Sequence, residues 1–188
     1  MRCAILRTEK APFCTLRQPS HCVVRMWPAR HTSPSMKDPL MYALMNFLHL
    51  LAAIVWLGGV TFMLMALRPA AAALLPPPQR LPLMAQVLSR FFVLVWLSIG
   101  LLLLTGLPML LRVGMKGAPV GWHLMLGIGL LMFALFGHLY FGPFRRLKQA
   151  VSASNWPEGG RRAGQIVFLA LVNLVLGALA IGAVIFLV

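Results

Sequence analysis

The chain has 188 residues, of which 60% are hydrophobic and only 11% are charged. Soluble domains carry roughly 25% charged residues, so this composition excludes a water-soluble domain and predicts extensive contact with lipid. The formal net charge of +14 could suggest a nucleic-acid-binding protein. The basic residues, however, stand at the ends of apolar runs rather than along a polar helix face, so we expect no nucleic-acid partner.

The first 40 residues form a basic, proline-rich tail without helical periodicity. The tail contains seven Lys or Arg residues and no apolar stretch of its own, so it is not a signal peptide. We expect residues 1–40 to be disordered if they are translated. We favour a translation start at Met36 or Met41, which would make most of the tail an error in the assigned start.

Four apolar runs follow the tail, and each has the approximately 20 residues that a helix needs to cross a bilayer. None of them contains Asp, Glu, Lys or Arg. The predicted spans are residues 41–67, 91–111, 120–141 and 164–188. The sequence therefore predicts an all-α fold, an integral membrane bundle of four helices in a single domain that covers residues 41–188. No internal repeat is evident in the sequence.

Two of the connections between spans are predicted to contain short interfacial helices. Before the second span, apolar residues recur at helical spacing from Leu83 to Leu88. Before the fourth span, residues 144–151 form a basic amphipathic stretch. Arg145 and Arg146 in this stretch are most simply determinants of topology, and binding of lipid headgroups is the second interpretation.

The distribution of Lys and Arg predicts how the helices are oriented. The connections after the first and third spans share one side of the membrane and together hold eight basic residues. The connection after the second span holds only Arg112 and Lys116. Since cytoplasmic loops are enriched in Lys and Arg, we expect the side with eight basic residues to be cytoplasmic and both termini to lie outside.

Three histidines, His49, His123 and His138, lie within the predicted spans. Ionisable side chains inside a membrane are costly and usually functional, so these three are the candidate site residues. At about 1.5 Å per residue, His49 and His123 fall roughly 7 and 11 Å from the middle of their helices, both towards the outer side. We therefore expect this pair to meet at one level. His138 lies about 22 Å deeper than His123 and is a weaker candidate ligand.

The histidine pair suits two different metal-containing ligands. Imidazole and thioether groups favour copper, and Met45 lies one turn before His49 on the same helix face. Two imidazoles also suit haem iron, for which the small residues Gly127, Ala134 and Gly137 would leave room. The spacing does not choose between copper and haem b. A third interpretation is a small membrane scaffold or assembly protein whose histidines only pack.

The predicted spans hold no pair of carboxylates, no nucleophile elbow and no cysteine. We therefore predict no catalytic residues for hydrolysis. An enzymatic activity would require a bound redox cofactor such as haem, which makes a membrane oxidoreductase the enzyme class to test.

Two segments of the chain resemble the CopD family of bacterial inner-membrane proteins, which are named for copper resistance. The first segment runs from Phe47 to Gly59, with His49 seven residues before a Trp-x-Gly-Gly motif. The second runs from His123 to Arg146 and includes a His-Leu-Tyr-Phe-Gly-Pro motif. The resemblance covers about residues 41–188.

This resemblance implies a multi-pass protein of the bacterial inner membrane that handles copper through binding, uptake or resistance. It also implies a periplasmic copper-binding partner, and it makes His49, His123 and His138 the counterparts of the family's histidines. The start of the first span also resembles the HemJ family, whose members bind haem b and oxidise protoporphyrinogen. That second resemblance implies haem b as the alternative ligand of the same histidines.

Overall fold

All regular secondary structure is helical in the computed structural model, which describes residues 39–114 and 117–187. Four continuous helical stretches are long and apolar enough to cross a membrane, namely Pro39–Leu74, Pro77–Val113, Val120–Ser152 and Trp156–Phe186. This result confirms the predicted all-α fold and its four membrane-spanning helices. The expectations for residues 1–38 fall outside the described residues.

The first half of the bundle is a helical hairpin. Helix α1 (Pro39–Phe62) leads through a π-helical turn (Met63–Leu67) into α2 (Arg68–Leu74), and the long helix α3 (Pro77–Val113) returns across the bundle. The chain stays helical past Pro69 because the wider π-helical turn precedes it. Within a regular α-helix, the proline ring and the missing N–H would interrupt the hydrogen-bond ladder.

The second half repeats this arrangement. Helix α4 (Val120–Leu139) leads through a second π-helical turn (Tyr140–Phe144) into α5 (Arg145–Ser152), and α6 (Trp156–Phe186) returns. This second π-helical turn contains Pro143. The described chain therefore consists of two hairpins with the same order of elements, a structural repeat that the sequence does not reveal.

The two predicted interfacial segments differ in structure. The stretch from Leu83 to Leu88 is not a separate helix but part of the first turns of α3, which continues without interruption into the second span. Helix α5 is a short amphipathic helix with Leu147 and Ala150 buried. Its basic side chains, including Arg145, are exposed.

Close contacts at glycines hold the helices together. Helix α1 packs along α3, and α4 packs along α6. A Cβ atom added at Gly121 of α4 would collide with the carbonyl oxygen of Ala183 on α6, and one added at Gly177 of α6 would collide with Leu57 of α1. Small residues permit such approaches between membrane helices, so Gly121 joins the helices of one hairpin and Gly177 joins the two hairpins.

Aromatic side chains fill the middle of the bundle. Trp56 of α1 stacks on Phe133 of α4, with ring centroids 5.7 Å apart. Phe92 of α3 packs edge-on against Phe136 of α4 at 5.3 Å and against Phe144 at 4.7 Å. Offset and edge-on ring pairs are favourable geometries, so this cluster fixes α4 against both helices of the first hairpin.

Basic residues concentrate at one end of the bundle. Gly159 at the start of α6 packs against Leu81 at the start of α3, so the α2–α3 and α5–α6 connections lie at the same end. We call this the basic end, and it holds Arg68, Arg80, Arg90, Arg145, Arg146, Lys148, Arg161 and Arg162. The placement agrees with the shared side expected from the sequence, whereas its assignment to the cytoplasm stays a prediction.

Candidate functional site

His49 lies on the face of α1 that packs against α3. The buried residues of α1 are Ala52, Trp56 and Val60, and at about 100° per residue all three lie within roughly 60° of His49 around the helix. The Nδ1 atom of His49 is 2.9 Å from the Oγ1 atom of Thr105 on α3. This half-buried imidazole is therefore an interhelical group rather than a lipid-facing one.

A hydrogen-bond chain through Thr105 fixes the tautomer of His49. The hydroxyl of Thr105 donates to the carbonyl oxygen of Leu101 at 2.7 Å, and a hydroxyl has only one proton to donate. Thr105 must therefore accept the bond from His49, so Nδ1 of the neutral imidazole carries the proton. The lone pair is left on Nε2. Metal-binding histidines are held in this way, with one ring nitrogen donating to a neighbour and the other binding the metal.

Gly106 provides the space for the His49 ring. A Cβ atom at Gly106 would lie 2.9 Å from Cε1 of His49 and 3.4 Å from its Nδ1. A side chain here would push the ring away from Thr105. Gly100, on the same helix, has nothing within 4 Å of an added Cβ atom. The imidazole therefore occupies space that a larger residue at position 106 would fill.

Two methionines lie one helical turn beyond the His49–Thr105 contact, away from the basic end. Helices α1 and α3 run antiparallel, Met45 precedes His49 by four residues, and Met109 follows Thr105 by four residues. Four residues advance a helix by about 6 Å and rotate it by roughly 40°, so both side chains stay near the shared face. Both are partly buried. The sequence pattern pointed to Met45, whereas Met109 becomes visible only once the register of the two helices is known.

His123 occupies a different position in the bundle. Its Nδ1 donates to the carbonyl oxygen of Pro119 at 3.2 Å, so its Nε2 also keeps a lone pair in the neutral form. The ring is half-buried. At about 100° per residue, His123 lies roughly 140–180° around α4 from the buried residues of that helix. These buried residues are Gly121, Met132, Phe136 and Leu139.

The described contacts do not join His49 to His123. His49 bonds to α3 and His123 bonds within its own helix segment. Residues 39–114 and 117–187 contain no group of three or more His, Cys, Asp or Glu side chains that could hold a metal ion. A shared bis-imidazole site for copper or haem therefore stays a prediction. The small residues Gly127 and Ala134, expected to leave room for haem, are exposed on α4.

His138 lies far from this region, at the basic end. Its exposed side chain lines a groove of about 760 Å³ together with Arg146, Arg161 and Arg162. Arg145, paired with Arg146 in the sequence-based interpretation, is exposed but is not part of the groove lining. The structure therefore places the three histidines in three settings, and His49 is the one whose ring bonds to a second helix.

Comparison with known proteins identifies the family. Residues 85–187 match the family model of CopD, described as copper resistance protein D. No match was found among curated proteins or among solved structures. The matched region begins within α3 and contains Thr105, Gly106 and Met109, whereas His49 precedes it. Because the match covers 103 of the 188 residues, the chain belongs to the CopD family and is a multi-pass membrane protein related to copper resistance.

Proposed function

We propose that this protein handles copper by binding Cu(I) at His49, between α1 and α3. The observation that carries the proposal is the hydrogen bond from His49 Nδ1 to Thr105, which leaves Nε2 as an oriented donor.

The surrounding donor atoms fit Cu(I) rather than a hard cation. Soft thioether ligands select Cu(I), and Met45 and Met109 lie one helical turn from His49 and Thr105 on the two facing helices. Hard cations prefer carboxylate oxygens. Glu158 is the one carboxylate side chain among the described residues, and it lies at the basic end. The His49 site therefore offers one nitrogen and two sulfur donors, all neutral.

The orientation predicted from the basic residues suits a copper site that opens outwards. If the basic end faces the cytoplasm, His49, Met45 and Met109 lie in the periplasmic half of a bacterial inner membrane. A periplasmic copper-binding protein is the partner that this arrangement suits. We assign His123 to the same half of the membrane. Its unprotonated Nε2 would bind either the same copper ion as His49 or a second copper ion at a neighbouring site.

The experiment that tests this function is an anaerobic titration of the detergent-purified full chain with Cu(I) in the presence of a chromophoric competitor. Cys3, Cys14 and Cys22 also offer thiols to Cu(I), so every sample for the copper measurements carries Cys→Ser substitutions at these three positions. In that background we expect about one tightly bound Cu(I) per chain, at the soft donors around His49. An absorption spectrum of the same sample, before and after dithionite, tests the haem b alternative. A Soret band with sharp reduced bands would favour haem on His49 and His123, and failure to retain Cu(I) would contradict the copper proposal.

The role of Thr105 can be tested by Thr105→Val, which keeps the side-chain shape and removes the hydroxyl. Losing the neighbour that orients a metal-binding histidine typically weakens metal affinity by about 10- to 100-fold, and we expect the Kd for Cu(I) to rise in that range. Thr61→Val is the matched control, since the hydroxyl of Thr61 also bonds to its own helix but contacts no histidine. Equal Cu(I) affinities in the two variants would contradict the role of Thr105.

Gly106→Ala tests the position of the imidazole without removing any ligand. The added methyl group would lie against Cε1 of His49, so the ring must move away from Thr105. We expect Cu(I) affinity to fall by roughly tenfold, as for other losses of ligand orientation. Gly100→Ala on the same helix adds the same methyl group in open space and should leave the affinity unchanged. A similar Kd for both alanine variants would show that the ring does not depend on position 106.

A further inference from the structure

We propose that the groove at the basic end binds the phosphate headgroup of an anionic phospholipid. The groove lies between α6 and the segment formed by the second π-helical turn and α5. It is separate from the His49 site and does not depend on copper binding. Its volume of about 760 Å³ falls in the range typical of small-ligand sites, roughly 300–1,000 Å³.

The groove carries an excess of positive charge. Arg146, Arg161 and Arg162 line it, and His138 adds a ring N–H donor. Glu158 is the only carboxylate side chain within residues 39–114 and 117–187, and it pairs with Arg162 at 2.6 Å. Arg161 lies only 3.9 Å from the same carboxylate and keeps 79% of its side chain exposed.

Arg146 is the clearest anion-binding candidate in this set. Its side chain is exposed on α5, and no hydrogen bond or ion pair ties it to another of the described residues. Arginine binds phosphate through several N–H donors in a planar fork, which makes it well suited to headgroup phosphates. Arg146 and the outward-facing Arg161 therefore leave more positive charge in the groove than one carboxylate can neutralise.

The remaining walls of the groove favour a lipid over a soluble anion. Phe168 and Leu169 line the groove next to the arginines, and Phe168 is 65% exposed. On α6 the charged residues end at Arg162, whose side chain donates to Gln165 at 3.0 Å, and the sequence is apolar from Ile166 to Val172. We therefore expect the groove to lie at the membrane level where lipid phosphates meet acyl chains. A phospholipid bound there would contact the arginines with its phosphate and Phe168 and Leu169 with its acyl chains.

The alternative explanation is that these arginines only set membrane topology. In that case all basic residues at this end should attract anionic lipid to a similar extent, whether they line the groove or not. Arg145 provides the comparison, because it carries the same charge on the same helix and lies outside the groove lining.

The experiment is a lipid titration of the detergent-purified full chain, followed by thermal unfolding. The probes are dioleoylphosphatidylglycerol, dioleoylphosphatidylcholine and sodium phosphate. We expect phosphatidylglycerol to raise Tm with a saturable midpoint. That midpoint should shift to roughly fivefold higher lipid in Arg146→Gln, given the approximate contribution of one basic residue near a membrane surface. Arg145→Gln should give the same midpoint as the unsubstituted chain. The basic residues within positions 1–40 are present in every sample, so they cannot cause a difference between variants.

Three outcomes would overturn the proposal. Equal midpoint shifts in Arg145→Gln and Arg146→Gln would indicate general surface attraction. Equal stabilisation by phosphatidylcholine would exclude recognition of the anionic headgroup. Stabilisation by sodium phosphate that matches phosphatidylglycerol and is lost in Arg146→Gln would identify a soluble phosphate ligand instead. Arg146→Lys keeps the charge but lacks the planar fork, so its midpoint should lie between those of the unsubstituted chain and Arg146→Gln, which separates binding from loss of fold.

Discussion

Replacing His49 with alanine should abolish tight Cu(I) binding by the purified protein. The substitution removes the Nε2 donor that the bond to Thr105 holds in place, and leaves only the two weaker thioether donors between α1 and α3. Losing a residue that merely orients a ligand costs about 10- to 100-fold in metal affinity, so loss of the ligand itself should exceed about 100-fold. The measurement is the anaerobic Cu(I) titration with a competing chelator.

His123→Ala extends this test to the second histidine. If His123 binds the same ion as His49, the alanine variants of the two should lose Cu(I) to a similar degree. If His123 instead binds copper at a neighbouring site, its loss should leave a single tight site at His49. Cu(I) binding that survives His49→Ala unchanged, in protein that still elutes as a folded species, would contradict the proposed site.

Gly121→Ala should destabilise the bundle by about 1–3 kcal/mol, the usual range for overpacking. The new Cβ atom would collide with the carbonyl oxygen of Ala183, and a backbone atom cannot rotate away as a side chain can. The N–H of Gly121 also donates to the carbonyl oxygen of Leu187 at 3.2 Å, so a shift of α4 would break this link to the end of α6. Thermal unfolding in detergent would report the effect as a lower Tm.

Gly127→Ala is the matched control for this prediction. It lies on the same helix, and an added Cβ atom there meets nothing within 4 Å. Because alanine is favoured over glycine within helices by up to about 1 kcal/mol, this variant should be as stable as the original chain or more stable. Similar Tm values for the two alanine variants would contradict the close contact between α4 and α6.

The membrane fold was predictable because its signal is strong. A run of about 20 apolar residues without charges has few alternatives to a spanning helix. The course of the chain beyond Pro69 and Pro143 was not predictable from that signal. Proline normally ends a helix, and nothing in the local sequence shows that a π-helical turn will accommodate it. The repeat of the hairpin was not predictable from the sequence either. The two halves share the order of their helical elements but have no matching residues by which the repeat could be recognised.

The candidate site was predictable only in part. Helical periodicity placed Met45 and His49 on one face of the first span. In the structure, the buried residues Ala52, Trp56 and Val60 share this side of α1. Thr105 and Met109 could not be recognised, because each stands within an apolar run where it resembles an ordinary packing residue. Their position beside His49 depends on the register between α1 and α3, which cannot be predicted from a single sequence. The depth estimate set His123 level with His49, and the small residues Gly127 and Ala134 suggested room beside α4. Both small residues are exposed in the structure, and a meeting of the two histidines stays a prediction.

The most direct test of the proposed function is X-ray absorption spectroscopy of the Cu(I)-loaded full chain. We predict copper coordinated by both nitrogen and sulfur, with the sulfur signal reduced when Met45 and Met109 are replaced by leucine. Such a spectrum would establish the mixed donor set between α1 and α3. Copper coordinated by nitrogen alone, or a spectrum that is unchanged by the two leucine substitutions, would contradict it.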